Sequence, residues 1–83
     1  MVDWSRFTPS SFEYNDASDK LAHHAISLEE ATQCFFNGFE VRRNRRFRDR
    51  YQLLGQTDGG RRLKVIFQLK PRSVVRIITG WDL

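Results

Sequence analysis

Residues 61–69 read Arg61-Arg62-Leu63-Lys64-Val65-Ile66-Phe67-Gln68-Leu69. Leu63, Val65, Phe67 and Leu69 fall on alternate positions, opposite Arg62, Lys64 and Gln68. A period of two predicts a strand with one buried face and one wet face. Just upstream, Asp58-Gly59-Gly60 supplies the positive φ angles of a hairpin turn. Arg46–Gln56 reads as the strand entering that turn. Downstream, Pro71 fits the second position of a turn in Lys70-Pro71-Arg72-Ser73, and Val74–Gly80 reads as the strand leaving it. Phe39–Arg43 completes a set of four. Links this short predict an antiparallel meander.

Upstream of Phe39 the period becomes helical. Ser27-Leu28-Glu29-Glu30 is a capping box, in which the Ser27 hydroxyl accepts from the Glu30 amide and the Glu30 carboxylate accepts from the Ser27 amide. Leu28, Ala31, Thr32 and Phe35 then follow a helical stripe, and Gly38 fits a left-handed C-terminal cap. Asn15 or Asp16 caps an earlier helix running to about His23, with Ala17 and Leu21 on its inward side. Phe12-Glu13-Tyr14 alternates as a short strand does. The expected fold is α+β: two N-terminal helices packed on a four-stranded antiparallel sheet. Residues 1–11 are expected to form an arm carrying Trp4 and Phe7, and residues 12–83 a single domain.

Composition narrows the function classes. A chain of 83 residues is one domain with a modest core. Hydrophobic residues reach 40%, which argues against wholesale disorder. Cys34 is the only cysteine, so no internal disulfide supports the fold, and its place beside Phe35 and Phe36 reads as a small buried hydrophobe rather than a nucleophile. No CxxC or HExxH spacing occurs, and no metal or other cofactor is expected. The N-terminus lacks a basic patch followed by an apolar run, and no apolar run approaches the roughly 20 residues of a membrane span. The expected compartment is the cytoplasm, with no membrane partner.

Charge is divided along the chain. Met1–Glu40 holds two basic and seven acidic residues, a net charge of −5; Val41–Leu83 holds twelve and three, a net charge of +9. Six arginines lie between Arg42 and Arg50. Strand parity gathers Arg46, Arg48, Arg50, Lys64 and Arg76 on one outer face, with Gln52 and Gln68 among them. Solvent faces of sheets are often charged, but this density exceeds what solubility needs. It is the electrostatic footprint of a polyanion partner, with RNA the leading candidate. Arginine suits the role because its planar fork binds phosphate bidentately, and it can stabilise the charge that grows during phosphodiester cleavage. His23 and His24 are candidate proton carriers, or else a cationic cap at a helix end. Glu29 and Glu30 read first as helix caps. Trp4 and Trp81 are candidates for stacking on bases or for packing.

The order of motifs resembles BrnT-type toxins. Phe12-Glu13-Tyr14-Asn15 is similar to the family's FEWD-like start, and His24-Ala25-Ile26-Ser27-Leu28-Glu29-Glu30-Ala31 to its KHGVSFEEA-like segment. Arg50-Tyr51-Gln52-Leu53-Leu54-Gly55, Gly60–Phe67 and Arg76-Ile77-Ile78-Thr79 resemble its later strands. The resemblance runs from Phe12 to Thr79. It implies a RelE/ParE-like fold and a metal-independent ribonuclease toxin of a type II toxin–antitoxin pair, neutralised by a cognate antitoxin protein. It places function on His23, His24, Glu30, Arg50 and Arg76. The chain departs from the family at Ala25, where the pattern has Gly. It departs again at Gly80-Trp81-Asp82-Leu83, where the pattern has Ala-Arg and a further helix.

Two functional expectations follow. In the first, Arg50 and Arg76 hold the scissile phosphate with help from Arg46, Arg48, Lys64 and His23, while His24 or Glu30 moves the 2′-hydroxyl proton. In the second, motivated by the C-terminal departure, the domain binds RNA or an acidic protein without cleaving anything.

Overall fold

A computed structural model describes residues 3–15 and 21–83. Five strands form one sheet: β1 (Ser11–Tyr14), β2 (Glu40–Arg43), β3 (Arg50–Gln56), β4 (Arg62–Lys70) and β5 (Val74–Asp82). Their spatial order is β1-β5-β4-β3-β2. The last four make the expected antiparallel meander. β1 lies parallel to β5, with Phe12 opposite Val75 and Tyr14 opposite Ile77. The sheet is therefore mixed and five-stranded, not antiparallel and four-stranded.

The two expected helices are also corrected. Among the described residues one α-helix is present, α1 (Leu28–Gln33). Its capping box forms as read, with both Ser27–Glu30 bonds at 3.1 Å. It stops early because Phe35 and Phe36 donate to carbonyls three residues back, Thr32 and Gln33, which tightens the chain and turns Phe35 into the core. Gly38 takes no left-handed conformation; the one such glycine among the described residues is Gly60, at the turn before β4. Of the earlier expected helix, residues 16–20 lie outside the described residues, and Leu21–His24 form a 3-10 turn. No described helix is long and apolar enough to cross a membrane.

The strand expected to begin at Arg46 begins at Arg50. Asn44 is the cause. Its side-chain oxygen accepts from the Arg46 and Phe47 amides, and this local turn outcompetes the ladder until Arg50.

One face of the sheet carries the core. Leu53, Leu63, Val65, Phe67, Val75 and Ile77 are buried there against Leu21, Ile26, Ala31, Cys34 and Phe35. Trp4, in a 3-10 turn at Trp4–Arg6, packs edge-on against Phe7, Tyr51 and Phe67 and closes the far side. Trp4 is thus a packing residue. Cys34 is fully buried, as its setting implied, and burial pushes its thiol up to about 11.

Candidate nucleic-acid interface

Register builds the outer face row by row. Arg76 stands opposite Glu13 on β1 and Gln68 on β4, and Gln68 stands opposite Arg50 on β3. These residues are 26 apart in sequence at the extremes of Arg50 and Arg76, yet Gln68 alone separates their strands. Arg76 Nη1 donates to Gln68 Oε1 at 3.4 Å, and Gln68 Nε2 donates to Asp49. Lys70 pairs with Glu13 at 2.8 Å beside the same row. The Arg50 guanidinium lies 4.1 Å over the Phe47 ring. Its Nε is buried and has no hydrogen-bond partner among the described residues. A buried donor of this kind costs free energy until an acceptor reaches it.

The next row holds Arg42, Gln52, Ile66 and Thr79, and the one beyond it Glu40, Leu54, Lys64 and Trp81. Arg42 is paired with Glu40 at 3.1 Å. Arg46 and Arg48, expected on this face, are instead exposed in the loop of residues 44–49 between β2 and β3. Phe47 is in that loop too and 41% exposed. Arg43 Nη1 donates to the Arg48 carbonyl at 3.3 Å and steadies the loop. Among the described residues, Arg45, Arg46, Arg48 and Arg50 form no salt bridge, and the first three are exposed.

The remaining expected site residues sit at the other end of the sheet. A bulge explains how. Ile66 pairs with Thr79 and Phe67 with Ile77, so Ile78 is an extra residue on β5. Beyond it the parity inverts, which puts Trp81 on the outer face beside Lys64, whose Nζ lies 5.6 Å from the ring centroid. His24 meets the same indole at 5.9 Å, where β1 no longer flanks β5. His23 is exposed in the same 3-10 turn.

Glu30 is engaged rather than poised. It accepts from Ser27 and from Arg61, whose guanidinium also grips both oxygens of Asp82, at 2.6 and 2.8 Å, and the Ala25 carbonyl at 2.9 Å. The Ser27 amide and then Arg61 hold the Glu30 carboxyl below its usual range. Arg61 does the same to Asp82, and the Arg61 guanidinium is held more firmly protonated in return. This cluster ties α1, the turn after Leu21–His24, and the end of β5 together.

The structure therefore brings Arg50 and Arg76 together around Gln68 and gathers His24 and Lys64 around Trp81. Lys64 and Gln68 are four residues apart on β4, which is about 13 Å along a strand. Asp49 contacts the Arg50–Arg76 row through Gln68, and Glu13 stands in that row opposite Arg76, whereas Glu30 is engaged at the other end of the sheet. Asp49, Phe47 and Arg61 were missed from sequence; Asn44, a strong turn former ahead of Phe47 and Asp49, was the available signal for the loop. Among the described residues, open grooves lie elsewhere as well, one of about 550 Å³ between Phe39 and Leu83 and another of about 360 Å³ between Trp4 and Phe36. Comparison with protein-family profiles and with curated proteins returns no match.

Proposed function

We propose that this protein is a BrnT-like RNA-binding domain, from the toxin side of a type II toxin–antitoxin pair, whose outer sheet face takes the RNA backbone. The observation that carries the reading is the row Arg50–Gln68–Arg76. Arg50 and Arg76 flank Gln68 from the strands on either side, Arg76 donates to the Gln68 amide oxygen, and the Nε of Arg50 is a buried donor in want of an acceptor. A phosphodiester oxygen is such an acceptor, and its charge matches the uncompensated arginines of the adjoining loop. The same charges would meet an antitoxin that covers this face with acidic residues.

Binding is the better-supported half of the proposal. Cleavage without a metal needs a base for the 2′-hydroxyl and an acid for the leaving 5′-oxygen beside the held phosphate. His24 stands by Trp81, toward the opposite end of the sheet, and Glu30 is committed to Ser27 and Arg61. A second reading, cleavage, is favoured by one contact: Asp49 accepts from Gln68 of the Arg50–Gln68–Arg76 row, and a carboxylate there would serve as the base.

Incubation of the purified protein with end-labelled RNA tests both readings. A band shifted on a native gel but intact on a denaturing gel supports binding alone. Fragments that vanish with Asp49→Asn support cleavage. Absence of any shift overturns the proposal.

A further inference from the structure

Two large aromatic side chains among the described residues are exposed, Phe36 and Phe47, at 63% and 41%. Phe36 still packs on Phe12, with ring centroids 6.1 Å apart. Phe47 is instead faced by cations. Arg50 covers it at 4.1 Å and Arg46 stands 5.7 Å from its centroid. Its backbone is fixed by the bond from its amide to Asn44 Oδ1 and by its carbonyl, which accepts from the Arg50 amide at 3.2 Å. The ring therefore springs from a fixed point on the rim of the basic face, in a loop whose neighbours are Arg45, Arg46 and Arg48.

We propose that Phe47 is a base-stacking residue, so that the loop of residues 44–49 receives an unpaired nucleotide whose phosphate lies toward Arg50. The inference rests on the RNA-binding reading above and goes beyond it. Backbone contacts through arginine need no aromatic and do not distinguish single strands from duplexes. A phenyl ring gains nothing from phosphate but gains a stacking partner from any splayed base, whatever its sequence. A duplex keeps its base faces stacked inside and has none to offer. The Arg46 contact is long and exposed, so a base displaces it at little cost.

Phe47 also supports Arg50, and the test must separate the two roles. Affinity is measured for a single-stranded oligouridylate and for an RNA duplex of the same charge, with Phe47→Leu and Phe47→Tyr, after equal melting temperatures show that each variant folds. Stacking predicts that Phe47→Leu binds the single strand about ten-fold more weakly, the loss of one base stack, leaves the duplex unchanged, and that Phe47→Tyr restores single-strand binding. An equal loss on both RNAs, or no loss on either, overturns the stacking role while leaving the RNA-binding reading intact. Failure of the wild type to bind either RNA overturns both.

Discussion

Ala25 follows the 3-10 turn with φ 55°, in the region that favours glycine. The backbone gives the reason for so unusual a conformation. The turn must reverse sharply so that the Ile26 amide reaches the Leu21 carbonyl at 3.2 Å and the Ala25 carbonyl meets Arg61. Ala25→Gly is expected to raise stability by up to about 1 kcal/mol, relief of strain less the added freedom of the unfolded chain; urea melts measure it. Cys34 gives a second check at this scale. A thiol that is buried and raised to about 11 should resist alkylation at pH 8 in the folded protein and react on unfolding.

Among the elements, β5 shows where sequence reasoning reached and where it stopped. Alternation correctly paired Val75 and Ile77 against Arg76, and the turn residues Gly60 and Pro71 correctly bounded β4. The meander and the shared face of Arg50 and Arg76 were legible for that reason. The extra residue Ile78 was not, because a bulge is set by what the partner strand and the core demand, not by period. Past it Gly80 turns inward, where an added Cβ would stand 2.8 Å from the Lys64 carbonyl. Gly80→Ala is expected to cost about 1–3 kcal/mol, since rigid backbone must shift, read again from denaturant melts. Arg46, Phe47 and Arg48 were misplaced for a related reason: their alternation continues that of β3, and only the side-chain turn at Asn44 breaks it. The parallel pairing of β1 with β5 was illegible because it joins segments about 60 residues apart.

Over the whole molecule, the acidic and basic halves of the sequence meet at Arg61. It joins Glu30 from the first half to Asp82 at the end of the second, through contacts that no local pattern announces. Both carboxyls titrate lower in the folded state than their ordinary values of 4.5 and 3.8. Depressed values stabilise the fold above those pH values and stop doing so as acid protonates the folded form. Arg61→Met is therefore expected to lower the melting temperature at pH 7, with the gap to wild type narrowing as pH falls below about 4. A constant gap would mean that Arg61 acts through packing alone. The remaining basic charge is turned outward by the 44–49 loop and the Arg50–Gln68–Arg76 row, and that row carries the central claim. Its most direct test is the salt dependence of binding to single-stranded RNA by wild type and by Arg50→Ala/Arg76→Ala. Two lost phosphate contacts should weaken binding and flatten the slope of log K against log salt by roughly 1.4, about 0.7 for each contact; an unchanged slope and affinity would contradict the account.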